Sequence, residues 1–263
     1  MDPNFWFALA LTAGAGLSTS IGGAIGVLGR PGSTRLLSLG LGFSAGVMVY
    51  VSLVELLPEG RRALVGAHGS WPGQWWTLLA FFGGVALIAL IDRLVPSQIN
   101  PHEPGTVLDH RRRSALMHTG ALTAIVLAVH NFPEGFATFV SALQEAEVAV
   151  AVAIAIAIHN IPEGLAVAVP VYQATGSRRR GFWWATLSGL AEPAGALLGY
   201  AVLRPFISDA LLGAAFAGIA GIMVFISIDE LLPTAEEYGA HHWSIYGFVA
   251  GMAVMAVSLV SFG

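Results

Sequence analysis

Polarity along the chain comes in long waves. Eight stretches of about 20 residues or more are nearly free of charge: 5–28, 36–57, 75–94, 115–142, 148–172, 182–203, 211–232 and 245–262. Each can cross the ~30 Å hydrocarbon layer of a bilayer as a helix rising ~1.5 Å per residue. The pattern predicts an all-α polytopic membrane protein of eight transmembrane helices, a single transmembrane domain over 1–263 with a polar loop at 95–114. The opening Met1-Asp2-Pro3-Asn4 carries no positive charge and leads into a full-length apolar stretch, so it reads as the approach to a first helix.

Two of the stretches contain the same polar hexapeptide. His130-Asn131-Phe132-Pro133-Glu134-Gly135 is followed by His159-Asn160-Ile161-Pro162-Glu163-Gly164, 29 residues on (159 minus 130). Positions i, i+1 and i+4 of a helix fall within an arc of roughly 100°, so the His, Asn and Glu of each copy share a face. Only Gln144-Glu145-Ala146-Glu147 joins the two helices, which predicts antiparallel neighbours. Measured from that turn, both imidazoles lie ~20 Å along their helices, near mid-membrane. Two imidazoles, two carboxylates and two amides at one depth are a metal site by ligand type, and placing them in hydrocarbon requires a function.

A second repeat spans the molecule. Residues 46–58, GVMVYVSLVELLP, match 221–233, GIMVFISIDELLP, at eight of 13 positions and an offset of 175 (221 minus 46). The first copy lies on an even-numbered span and the second on an odd-numbered one, so the two run in opposite directions. This predicts a 3+2+3 plan, with helices 1–3 and 6–8 as inverted repeats around helices 4 and 5. Inverted repeats with a midplane site mark secondary transporters.

Composition agrees with the membrane reading. The chain is 56% hydrophobic and 11% charged, with mean hydropathy +0.73, where soluble domains carry about 25% charged residues. It has no Cys, which removes disulfides and thiolate ligands. All 12 basic residues are Arg. Nine (Arg30, Arg35, Arg93, Arg111–113 and Arg178–180) fall on one side, and Arg61, Arg62 and Arg204 on the other. The positive-inside rule puts the nine, and the 95–114 loop, in the cytoplasm and both termini outside a cytoplasmic (inner) membrane. Topology accounts for these charges, so no nucleic-acid partner is expected; the partners are divalent metal ions and the lipid bilayer.

Imidazole suits zinc, iron, nickel and copper, and oxygen ligands extend the range towards manganese and cadmium. Glu134 and Glu163 each have two oxygens and can bridge two ions. Pro133 and Pro162 lack an N–H, which frees the carbonyls of Val129 and Ile158. Glu192, also followed by a proline, lies mid-span in helix 6 and is the candidate that completes the site. Thr123, Thr138 and Ser141 continue the polar face of His130 and Glu134, so helix 4 reads as the helix lining a pathway. Glu55 near the outer end of helix 2 and Asp229 with Glu230 near the inner end of helix 7 are candidate gates, with Ser52 beside the first; a structural helix-end role is the alternative. Met48 reads more readily as core than as a soft ligand. His118 is either a relay ligand or a packing residue. Three functions fit: a carrier working by alternating access, a passive metal channel, and an intramembrane metallohydrolase. The last lacks a His-Glu-x-x-His motif and a Ser nucleophile motif, so no enzyme is expected.

At these residues the chain resembles the ZIP family of zinc- and iron-regulated transporter-like proteins, in its bacterial ZupT/GufA-like branch. The resemblance rests on His-Asn-x-Pro-Glu-Gly in both central helices and covers nearly the whole chain. It implies an uptake carrier for zinc, and by extension Fe2+, Mn2+ and Cd2+, with a binuclear site. By motif position, His130, Glu134, His159 and Glu163 would hold one ion. Asn131, Glu134, Asn160, Glu163 and Glu192 would hold the second. The family also implies a homodimer, in which helices 1, 4, 5 and 6 move against helices 2, 3, 7 and 8.

Overall fold

A computed structural model of the protein describes residues 4–28, 34–94, 108–144, 146–237 and 241–262; the side chains of His118 and His130 lie outside that description. The described residues contain no strand. In order, the helices are α1 (Phe5–Leu28), α2 (Thr34–Val51), a π turn (Ser52–Leu56), α3 (Leu57–His68), α4 (Ser70–Leu94), α5 (Leu108–Gln144), α6 (Ala146–Thr175), α7 (Arg178–Gly189) and α8 (Ala191–Leu203). A 3-10 turn at Arg204–Phe206 leads to α9 (Asp209–Ile226), a second π turn (Ser227–Leu231), α10 (Leu232–Glu237) and α11 (His241–Phe262). Among the described residues, five helical stretches are long and apolar enough to cross a membrane by themselves: Phe5–Leu28, Ser38–His68, Ser70–Ile91, Asp209–Glu236 and His242–Val260.

The helices overrun the apolar stretches. α3 continues past the expected end at 57, because its Glu59, Arg61 and Arg62 do not oppose helix formation and stand in solvent reach. Gly69, at φ 83, then reverses the chain into α4; that conformation suits a residue without a Cβ. Likewise α5 starts at Leu108, inside the polar segment 95–114, whose first part (95–107) lies outside the described residues. Hydropathy marks where a helix is apolar, while its ends follow backbone propensity and caps. Ser177 and Ser208 supply two such caps, accepting from Arg180 N at 3.3 Å and Leu211 N at 3.2 Å.

The expected sixth helix, 182–203, is divided at Leu190 into α7 and α8. Pro193 has no N–H to give the carbonyl of Gly189, so the ladder lapses there. The two π turns fall on the 13-residue repeat, 175 residues apart (227 minus 52), each just ahead of a Leu-Pro pair. In both, the serine hydroxyl donates back one turn: Ser52 to Met48 O at 2.6 Å and Ser227 to Met223 O at 2.7 Å. The wider turn lets the helix pass Pro58 and Pro233 without a break, a device known from proline-bearing membrane helices.

The helices fall into two groups. α1 packs on α6 and α7, α5 on α6 and α8, and α6 on α7. Separately, α2 packs on α11, α4 on α9, and α3 on both α4 and α9. The main seam between the groups is α2 against α6, with a lesser one where α5 meets α9. Leu41, Met48, Phe139, Met223 and Ile226 are buried in the shared core. The outer face of α4 shows Leu78, Leu79, Phe82, Leu87 and Leu90, an apolar surface suited to lipid.

Candidate functional site

Both hexapeptides lie inside unbroken helices, α5 through Pro133 and α6 through Pro162. Their tight fit comes from the closing glycines. A side chain on Gly135 would run into the backbone of Glu192 on α8, and one on Gly164 into the carbonyl of Thr19 on α1. Each motif is thereby pressed, backbone to backbone, against one helix of its own group.

The sequence-predicted residues converge. His159, Asn160, Glu163, Asn131 and Glu192 have no exposed surface, and Glu134 is 4% exposed. His159 Nε2 lies 3.2 Å from Glu134 Oε1, which joins the two motifs across the α5–α6 interface. Asn160 Nδ2 donates to Glu192 Oε1 and, at 3.0 Å, to the carbonyl of Ala15 on α1. Asn131 Nδ2 donates to the carbonyl of Ser188 on α7 at 3.3 Å. Glu163 Oε1 receives the Ser44 hydroxyl from α2 at 3.4 Å. Among the described residues, Asn131 Oδ1, Asn160 Oδ1, Glu163 Oε2 and Glu192 Oε2 are buried without a hydrogen-bond partner. Four oxygens held dry with lone pairs unused are costly unless a cation fills the space between them. No three His, Asp or Glu side chains among the described residues stand close enough to wrap an ion as they are. The imidazole of His130 is not among those described.

Of the pathway candidates, Met48 borders this cluster through Ser44, while Glu55, Asp229 and Glu230 stand farther along the helices. Met48 is fully buried one turn from Ser44, whose hydroxyl is 3.9 Å from its sulfur. Ser52 is buried too, and Glu55 is half-buried in the first π turn. Glu55 lies 11 residues beyond Ser44 (55 minus 44), about 16 Å along the helix. In the second π turn Asp229 is exposed. Glu230 lines a small cavity of about 10 Å³ with Thr123, Leu127, Ala166 and Thr234. Thr123 precedes Glu134 by 11 residues (134 minus 123), again about 16 Å. Thr138 belongs to the expected polar face, but its hydroxyl turns back to Glu134 O at 2.9 Å and so satisfies its own helix.

Sequence reasoning did not single out Ser44, or the carbonyls of Ala15 and Ser188. Backbone acceptors leave no mark in a sequence. Ser44 is one small hydroxyl in an apolar helix, and the 175-residue repeat places Ile219 opposite it.

Comparison with known proteins settles the family. Residues 98–259 match the family model described as ZIP Zinc transporter. The chain belongs to the ZIP family. Relatives span its full length: "Zinc transporter ZupT" of Corynebacterium aurimucosum is 60% identical, covering 97% of both chains. The protein of that name from Corynebacterium efficiens is 58% identical over 98% of each, and that from Streptococcus mutans 54% identical over 100% of each. ZIP proteins are membrane transporters, so the hydrolase reading falls away and the chain is a membrane protein.

Proposed function

We propose that this chain is a secondary transporter that takes zinc up into the cytoplasm through the buried cluster on α5, α6 and α8. The carrying observation is the approach of His159 Nε2 to Glu134 Oε1, 3.2 Å apart in an interior closed to solvent. Two ions fit the ligand chemistry: one on His130, Glu134, His159 and Glu163, the other on Asn131, Glu134, Asn160, Glu163 and Glu192. Fe2+, Mn2+ and Cd2+ suit the same nitrogen and oxygen donors.

The transport path follows an inverted repeat of eight helices in a 3+2+3 plan, with both termini outside the inner membrane and two copies forming a dimer. Matched hydrogen bonds support the repeat. Asn131 of α5 donates to Ser188 O and Asn160 of α6 to Ala15 O, and the two acceptors are 173 residues apart (188 minus 15). At that offset Gly16-Leu17 falls on Gly189-Leu190, Gly22 on Gly195 and Gly26 on Gly199. The paired π turns give the same relation for the second helix of each repeat.

Glu55 stands at the outer mouth, and Glu230, with Asp229, at the inner one. An unaccompanied divalent ion moving inward gains ~4.6 kcal/mol at 100 mV, twice the ~2.3 of a single charge. Alternating access accounts for a site sealed from both sides; a passive channel would need a continuous opening. Binding needs neutral imidazole and ionised carboxylate, so zinc affinity falls between pH 7.5 and 5.5, measurable with the purified protein.

The deciding experiment is zinc and iron uptake into proteoliposomes by the wild type and by Glu134→Ala with Glu163→Ala. Uptake abolished in an inserted, monodisperse variant is the expected result. Undiminished uptake would refute the site. Flux that saturates and shows counterflow identifies a carrier; flux linear in the gradient identifies a channel.

A further inference from the structure

The hydroxyls along these helices follow a common pattern. Thr12, Ser52, Thr77, Thr138, Thr175, Thr186 and Ser227 all donate to the carbonyl four residues back on their own helix. Ser18 and Ser188 donate three residues back, and Ser18 also stands 2.9 Å from the carbonyl of Ala157 on α6, within its own helix group. Ser44 departs from this pattern: on its own helix it meets the Met48 sulfur, at 3.9 Å, rather than a carbonyl. Its hydroxyl points across the seam from α2 to α6, 3.4 Å from Glu163 Oε1 and 3.4 Å from His159 O, with no exposed surface. It thus leaves one helix group and ends on a carboxylate held by the other.

We propose that Ser44 is a positioning residue for the transported ion: it fixes the rotamer of Glu163 by holding Oε1 towards α2, which leaves Oε2 turned inward for the metal. This rests on the transport reading given above. The geometry carries it through both oxygens of one carboxylate: Oε1 is engaged by Ser44, and Oε2 has no hydrogen-bond partner among the described residues. A carboxylate anchored at one oxygen loses less freedom when the other binds an ion, so the anchored form binds more tightly. The anchor also belongs to the opposite helix group. Sliding of α2 along α6 therefore withdraws it, and zinc is held best while the groups are registered as they are here. Ser44 couples the affinity of the site to the position of the seam.

The test compares Ser44→Ala, which removes a single oxygen and preserves volume, with the wild type. Equilibrium zinc binding to the purified protein in detergent, read by competition with a chromogenic chelator, weakens about tenfold, the order of a lost hydrogen bond to a charged group. In proteoliposomes KM for zinc rises by a similar factor while the maximal rate is not lowered. In a Glu163→Asp background, whose shorter side chain is out of reach, adding Ser44→Ala changes zinc affinity less than twofold, the non-additivity expected of a contacting pair. Ser44→Cys, the sole thiol in a chain without Cys, is alkylated more slowly when zinc is present. Unchanged affinity in Ser44→Ala overturns the proposal, as do full additivity with Glu163→Asp and a lowered maximal rate at unchanged KM. Zinc-independent alkylation does so too. Failure of the wild type to move zinc would refute the transport reading instead, so the two failures are told apart.

Discussion

The two hexapeptides are nearly the same text in unlike surroundings. Each asparagine reaches a helix-backbone carbonyl, Ser188 O for Asn131 and Ala15 O for Asn160, at equivalent places in α7 and α1. Among the described residues, Asn160 alone of the two goes on to a carboxylate, that of Glu192. The residue 173 positions before Glu192 is Thr19 (192 minus 173), whose Oγ1 is buried without a partner among the described residues. The repeated motif places the donors symmetrically, while the flanking helix decides where negative charge collects. The surroundings of the two motifs thereby differ between α8 and α1, carboxylate against hydroxyl, as they differ on α2, where Ser44 has Ile219 for its counterpart.

The comparison can be broken at its root by separating the motifs from their flanking helices. Gly135→Leu and Gly164→Leu each drive a side chain into a neighbouring backbone, and overpacking of that kind is strongly destabilising. Neither variant should be recovered as a monodisperse protein in size-exclusion chromatography. If one alone survives, the two halves are not equally load-carrying. The next effect sharpens the asymmetry. Glu192→Gln should weaken zinc binding at least tenfold, on the scale of a lost charged partner, whereas Thr19→Val changes it less than twofold; both are read by chelator competition. Equal losses would mean that α1 and α8 serve the site alike. The smallest effect lies in the amides. Asn160→Ala forfeits two acceptors and Asn131→Ala one among the bonds described above, so the first should raise KM for zinc uptake several-fold more than the second.

Much of this was legible in the sequence because it rests on periodicity and ligand chemistry. The apolar stretches fall on helical segments, five of them among the described residues long and apolar enough to span a membrane by themselves, and the two His-Asn-x-Pro-Glu-Gly motifs named most of the side chains that gather in the buried cluster. Helix ends were not legible: α3 and α5 extend through Glu59–Arg62 and Arg111–Arg113, which are polar yet compatible with helix. Glu192 could be proposed because a carboxylate inside an apolar span is conspicuous. Ser44 could not, because its role depends on which way α2 faces α6, a tertiary fact with no periodic trace. The repeat at 46–58 and 221–233 was visible as letters, but that each copy carries a π turn was not.

Those turns have a consequence for how the gene can vary. A π turn holds one residue more than an α-helix needs at that point. Deleting one exposed residue there, Leu53 or Val54, would restore a plain helix with the parts before and after it near their present bearing, whereas the same deletion in the α-helical run 45–51 swings the two parts by about 100°. Ser44 and Pro58, on either side of the π turn, keep their relative bearing in the first case and lose it in the second. Substitutions at Leu53 or Val54, both exposed, leave that bearing intact. The same holds at 227–231. These two pentapeptides are where the helices can lose a residue, so in a mutant library selected for uptake single-codon deletions at 53–54 should persist more often than deletions at 45–51.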